Sequence, residues 1–123
     1  MSEKQVLVPG PDHPITVTSA EHTVTVHFGG RLIAKTDAAL VLLESTYPPV
    51  YYLPIDAVDP DVLESSEHTT YCPFKGDASY YTLRDGDTSS VNAVWTYVEP
   101  YDAVSQIAGH VAFYQDRVDL TVG

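Results

Sequence analysis

The residues best suited to chemistry lie in the segment HTTYCPFKGDASYY, residues 68–81, which contains the only thiol of the chain. Lys75 follows this thiol, Cys72, by three positions, and a nearby cation favours the thiolate form that acts as a nucleophile. Gly76 would let backbone N–H groups approach an anion closely. Cys72 and Lys75 are therefore the catalytic candidates. The alternative is an inert thiol, because free cysteines are commonly buried as small hydrophobic residues.

Patterns that would bind a metal are weak. A single cysteine cannot form a thiolate zinc cluster or an internal disulfide, and the five histidines show no convincing ligand spacing. Two D-x-D motifs, at 59–61 and 85–87, could hold Mg²⁺, but each contains a strong turn former, Pro60 or Gly86. No phosphate-binding glycine loop accompanies them. The sequence therefore predicts no metal and no cofactor.

The charge balance limits the partners of the protein. The 123 residues include six Lys and Arg against 17 Asp and Glu, a formal net charge of −11. Such a field repels nucleic acids and anionic lipid headgroups, so neither is an expected partner. No apolar run approaches the ~20 residues of a membrane span, and the start, MSEKQVLVPG, lacks the features of a signal peptide. We expect a cytoplasmic protein, with a monomer and a homodimer both left open.

Aromatic side chains on neighbouring predicted strands indicate a ligand pocket. Tyr81 lies on one strand, and Trp95 and Tyr97 share a face of another. Such rings combine an apolar body with a polar tip, which suits a pocket lining, although an ordinary β core would use them equally well. With Arg31 and Lys75 as a local cationic spot, the pocket would accept a small anionic or amphipathic molecule.

Alternating apolar and polar residues predict a hairpin over 23–36. Its centre, Gly29-Gly30, suits the tight turn that joins antiparallel strands. A two-residue turn pairs three residues of each strand: Phe28 with Arg31, Val26 with Ile33, and Val24 with Lys35. Arg31 would then face the core side of the sheet, where a carboxylate partner or a bound anion is expected, and Glu44 is a candidate for that partner. The alternative is that Arg31 and Glu44 both reach water at the sheet margins.

The same pattern continues along the chain and fixes the fold class. Apolar runs at 40–45 and 50–53, a second hairpin around Asp85-Gly86 and a last strand within 110–118 are predicted. Helical signal is weak: turns are expected at 36–39 and 55–58, and a helix at 102–108, capped by Asp102 and ended by Gly109. Residues 1–12 are predicted to form an N-terminal arm, and residues 13–123 one compact domain of antiparallel sheets with one or two short helices.

The chain from about His13 to Asp119 resembles domain-of-unknown-function family 427. Five stretches match its motif blocks in order: VHFGGRLIAKTDAALVLLE, PPVYYLP, HTTYCPFKGDASYYTL, NAVWTYVEP and IAGHVAFY. The resemblance implies a β-tent-like or sandwich-like antiparallel domain. Relatives of that fold pin their sheets with zinc and paired cysteines, which a single cysteine cannot supply. The matching residues that become pocket candidates are Arg31, Glu44, Tyr51, Tyr52, Cys72, Lys75, Gly76, Tyr81, Trp95 and Tyr97.

The resemblance assigns no activity, although one classification groups the family with nucleotidyltransferases. Those enzymes generally combine a Gly-Ser dipeptide with a D-x-D or D-x-E metal site, and this chain has no Gly-Ser. The sequence leaves three functions open. The first is a small-molecule-binding domain, the second an enzyme that uses Cys72 and Lys75 or metal-dependent nucleotidyl transfer, and the third a protein-interaction domain.

Overall fold

The computed structural model describes residues 5–123 as ten β-strands and three 3₁₀ helices. The strands are β1 (Ile15–Ser19), β2 (Val24–Phe28), β3 (Arg31–Thr36), β4 (Leu40–Glu44), β5 (Val50–Pro54), β6 (Leu63–Cys72), β7 (Gly76–Asp85), β8 (Thr88–Thr96), β9 (His110–Phe113) and β10 (Asp119–Val122). The helices are Ile55–Ala57, Pro60–Val62 and Asp102–Ile107. The predicted mainly β, antiparallel class is confirmed, because all the paired strands are antiparallel.

Two open sheets form the fold. The large sheet has seven strands in the order β1-β4-β5-β9-β8-β7-β6, and the small sheet has three in the order β10-β2-β3. One apolar cluster lies between the sheets and joins Val24, Val26 and Ile33 of the small sheet to Leu53 and Val111 of the large one. A second cluster covers the opposite face of the large sheet. The large sheet is therefore apolar on both faces.

The predicted hairpin over 23–36 is confirmed, with one correction to its register. Gly29 and Gly30 both have positive φ, 57° and 85°, as a tight turn between antiparallel strands requires. Phe28 pairs with Arg31 as expected. Val26 pairs with Ala34 rather than Ile33, and Val24 with Thr36 rather than Lys35, because a β-bulge shifts the register between Val26 and His27. The bulge leaves two consecutive residues of β3, Ile33 and Ala34, buried.

The sequence pattern missed two strands. β6 is a polar strand at the edge of the large sheet, and its exposed residues give no apolar alternation to detect. β10 follows Val118 and extends the small sheet beyond the last predicted strand. The segment expected to be a helix over 102–108 is a 3₁₀ helix instead, and Tyr101 rather than Asp102 occupies its N-cap position without a side-chain hydrogen bond.

Residues 5–12 of the predicted arm lie beside the turn that joins β6 and β7. The Leu7 amide donates a hydrogen bond to the Pro73 carbonyl at 2.9 Å, and the Tyr71 hydroxyl donates to the Gln5 carbonyl. Residues 1–4, which belong to the same predicted arm, lie outside the described residues. Among residues 5–123, no helix is both long enough and apolar enough to cross a membrane.

Candidate functional site

The site is built where the large sheet curls back on itself. Glu44 ends β4, whereas Lys75 lies in the turn before β7, four strand positions further along the sheet. In a flat sheet four spacings would separate these strands by about 19 Å. The Lys75 Nζ atom nevertheless lies 2.5 Å from the Glu44 Oε1 atom, with both side chains largely buried. The sheet therefore curls, and this ion pair spans its concave face.

His13 completes the polar cluster. Its Nε2 atom lies 2.7 Å from the second carboxylate oxygen of Glu44, Oε2. The imidazole stacks on the ring of Phe74, with 4.2 Å between centroids and 9° between planes. Because Phe74 belongs to the same turn as Lys75, the stack reinforces the contact across the sheet. Sequence reasoning missed His13 and Phe74, since each lies far along the chain from the residue that it contacts.

Local backbone geometry positions Lys75. Its amide donates to the Cys72 carbonyl at 3.1 Å, which closes the turn, and its own carbonyl accepts from the Tyr101 amide at 3.0 Å. Gly76 follows at φ 110°, a conformation that side chains rarely adopt. The Lys75 ammonium also lies 3.7 Å from the Cys72 Sγ atom, so the two predicted catalytic candidates are in contact.

The electrostatics of the cluster keep Glu44 ionised. Burial opposes its ionisation, but hydrogen bonds from Lys75 and His13 and the charge of Lys75 outweigh that effect. The pKa of Glu44 therefore lies below its ordinary value. The Lys75 charge is thus compensated by a carboxylate within the cluster, rather than left free for an anionic ligand.

An inner cavity of about 220 Å³ lies on the concave face of the large sheet. Four strands and the Lys75 turn contribute its walls, which are mostly aromatic. The lining residues are Leu42, Glu44, Val50, Tyr52, Lys75, Tyr80, Trp95, Tyr97 and Tyr114. The cavity therefore combines apolar ring surface with one ion pair and several phenolic hydroxyls.

The buried tyrosines differ in their hydrogen bonding. The Tyr52 hydroxyl accepts a hydrogen bond from Trp95 Nε1 at 3.3 Å, and burial raises the pKa of Tyr52 to about 12. Burial also raises the pKa of Tyr97, with contributions from Tyr52 and Cys72. Within residues 5–123 the structure shows no hydrogen bond to the Tyr97 hydroxyl, although Tyr97 is only 8% exposed and lines the cavity. That hydroxyl is available to a ligand.

An outer groove of about 650 Å³ adjoins the inner cavity at the end of β4, β5 and β9. Its walls come from the loop between β4 and β5 and from the aromatic residues around Trp95. The lining residues are Glu44, Tyr47, Pro48, Pro49, Val50, Tyr51, Trp95, Phe113, Tyr114 and Gln115. Glu44, Val50, Trp95 and Tyr114 line both spaces, so the groove and the cavity are adjacent.

The predicted partnership of Arg31 with Glu44 is wrong. Arg31 donates instead to Asp85 at 2.9 Å and to Asp59 at 2.5 Å, and its side chain is 41% exposed. These hydrogen bonds and charges raise the pKa of Arg31. The arginine points to the sheet margin, because the Gly29-Gly30 turn places it at the start of β3, near the end of β7. It therefore adds no positive charge to the aromatic cavity.

Both D-x-D motifs contribute a carboxylate to Arg31. Asp59 also caps the helix at 60–62 by accepting a hydrogen bond from the Asp61 amide, and Asp85 ends β7. The aspartates of the two motifs thus cap a helix and form ion pairs with Arg31. Within residues 5–123, no three histidine, cysteine, aspartate or glutamate side chains converge as metal ligands would.

The other predicted pocket residues divide between two regions. Tyr52, Trp95 and Tyr97 lie around the inner cavity, and Tyr51 lines the outer groove. Tyr81 is on the opposite face of the sheet, where it lines a separate surface depression with Ile55 and Leu63. The separation follows from the alternation of side chains along β7, since Tyr80 and Tyr81 point to opposite faces.

Comparison with known proteins identifies the family of the chain. A search of curated proteins found none that matches the chain. A family model described as "Domain of unknown function (DUF427)" matches residues 16–123, which include all ten strands except the first residue of β1. The chain therefore belongs to the DUF427 family.

Proposed function

We propose that this protein is a small-molecule-binding domain whose ligand occupies the outer groove and reaches into the inner cavity. The observation that supports the proposal is the adjacency of the two spaces, which share Trp95, Val50 and the ionised Glu44 as lining residues. The groove volume of about 650 Å³ falls in the range of ligand pockets, roughly 300–1,000 Å³. Mostly apolar walls with a few polar groups are typical of such sites.

The polar groups favour an amphipathic ligand. Tyr97 lines the inner cavity, and its hydroxyl forms no hydrogen bond within residues 5–123 and is not fully buried, so it can donate to or accept from a ligand. The ring of Trp95 contacts Tyr114 at a centroid distance of 4.7 Å, and both rings offer apolar surface to a ligand body. A purely anionic ligand is less suited, because Lys75 already binds Glu44 and Arg31 lies elsewhere.

A fragment screen monitored by NMR tests the proposal. The indole N–H of Trp95 is a specific reporter, because the chain contains one tryptophan. We expect saturable shifts of this resonance, and we expect Val50→Phe to abolish them by filling the junction of groove and cavity. Val91→Phe is the matched control, since Val91 is 64% exposed and lines neither space. The proposal fails if no fragment gives saturable shifts, or if both variants bind as the wild type does.

The contact between Lys75 and Cys72 favours a second candidate, an enzyme with a thiol nucleophile. An ammonium 3.7 Å from a thiol can stabilise the attacking thiolate. If Lys75 has this role, Lys75→Met slows the alkylation of Cys72 by iodoacetamide under native conditions. Equal labelling rates in the wild type and in a folded Lys75→Met variant would remove the support for this candidate.

A further inference from the structure

We propose that the outer groove selects organic cations, with an ammonium group held by aromatic ring faces beside Glu44. This inference rests on the proposed function and narrows the ligand class of the same site. It also reverses the ligand charge that the sequence predicted. The predicted pocket contained Arg31 and Lys75, whereas the groove is lined by neither residue.

The aromatic walls provide the recognition surface. Trp95 and Tyr114 both line the groove and contact each other, with their centroids 4.7 Å apart and 50° between their planes. Tyr47 and Tyr51 line the same groove, and Tyr47 and Tyr114 are 61% and 42% exposed. Quaternary ammonium groups bind to such clustered ring faces because the ring quadrupole attracts a cation. An anion would be repelled by the same faces.

The charged residues around the groove also favour a cationic ligand. Its lining contains one carboxylate, Glu44, and neither lysine nor arginine. Glu44 binds Lys75 through Oε1 and His13 through Oε2, and each carboxylate oxygen keeps a second acceptor position. Because Lys75 compensates the negative charge of Glu44 locally, the aromatic rings supply the short-range preference for a cationic ligand. The net charge of −11 attracts cations over a longer range.

The test compares three ligands of nearly the same shape and different charge. They are meta-hydroxyphenyltrimethylammonium, its neutral isostere meta-tert-butylphenol, and the anion meta-hydroxybenzenesulfonate, each titrated at a pH where the phenol is protonated. The Trp95 indole N–H reports binding. We expect the ammonium to bind about tenfold more tightly than the neutral isostere, and the sulfonate to bind most weakly.

A matched pair of variants assigns the selectivity to the rings. Tyr114→Leu should lower the affinity for the ammonium towards that for the neutral isostere, whereas Tyr114→Phe, which keeps a ring face, should preserve the preference. Because Tyr114 is 42% exposed, neither change threatens the fold. Ammonium binding that is no tighter than isostere binding overturns the inference, and so does the absence of ammonium binding. The proposed function survives either result if other fragments bind at Trp95, and fails with the inference if none does.

Discussion

The carboxylate of Glu44 and the ammonium of Lys75 are in contact, 2.5 Å apart, although their elements stand four positions apart in the large sheet. The pair therefore joins the two sides of a curled sheet. It also forms part of the inner cavity wall, so the same two side chains hold the concave shape and supply charge to the space inside it. Stability and binding should consequently respond together to changes at this pair.

Removing one charge of this pair should cost more than removing both. Glu44→Gln leaves the Lys75 ammonium largely buried without its counter-charge, and we expect a loss of about 2 kcal/mol in the free energy of unfolding. Lys75→Met should cost a similar amount because it leaves the largely buried Glu44 with His13 alone as a partner. The double variant Glu44→Gln/Lys75→Met should lose less than the sum, as measured by urea unfolding. Strictly additive losses would show that the pair does not couple the two sides of the sheet.

Acid should weaken the same contact. The pKa of Glu44 is lowered in the folded protein below its ordinary value of 4.5, so the unfolded chain binds more protons in this range. The contribution of Glu44 is therefore complete above pH 4.5 and is lost as the pH falls through the folded pKa. When urea unfolding is measured from neutral to acidic pH, the free energy of unfolding of the wild type should approach that of Glu44→Gln. A difference in free energy of unfolding that stays constant with pH would contradict a lowered pKa of Glu44 in the folded protein.

Much of the fold could be predicted because strand patterns are local. Both hairpins and the strands around 40–45 and 50–53 follow from alternation and turn residues within short windows. β6 escaped detection because an edge strand with polar residues on both faces has no apolar period. The bulge at Val26 and His27 escaped because a register shift depends on the packing of the whole sheet.

The site was predictable in its residue types and not in its pairing. The chemistry of Trp95, Tyr52, Tyr97 and Lys75 suits a pocket, and in the structure these four residues line one cavity. The partners of Lys75 depend on how far the sheet curls, and the curvature of a sheet cannot be predicted from a short stretch of sequence. Arg31 was misplaced for the same reason. A strand face can be predicted from sequence, but a strand-end residue can turn towards whichever carboxylate the fold brings near.

Arg31 should behave as a surface ion-pair residue with no part in binding. Arg31→Gln removes the contacts with Asp59 and Asp85, which are partly exposed and screened by salt. We expect a smaller loss of melting temperature than for Lys75→Met, and high salt should diminish it. Titration of a fragment that binds at Trp95 should give the wild-type affinity. A weakened affinity would place Arg31 in the site after all.

Alkaline titration should show that Tyr52 ionises above its ordinary pKa of 10.0. Tyr52 has a pKa of about 12, raised from 10.0 mainly by burial, and the pKa of Tyr97 is raised for the same reason. The folded protein thus keeps protons that the unfolded chain releases, so stability falls as the pH rises from 10 towards 12. Phenolate absorbance should show a late-titrating fraction that Tyr52→Phe reduces. Titration of every tyrosine near pH 10 in the folded protein would contradict the burial of this cavity.

Gly76 should be intolerant of a side chain because it directs the chain from Lys75 into β7. Its φ of 110° is strained for alanine, and an added Cβ would lie 3.4 Å from the Glu99 carbonyl oxygen. We expect Gly76→Ala to lower the free energy of unfolding by about 1–3 kcal/mol and to broaden or shift the Trp95 indole resonance, because Lys75 must move. Gly10→Ala is the matched control, since a Cβ there meets no atom within 4 Å. Equal stability of the two variants would show that the Lys75 turn does not depend on this backbone conformation.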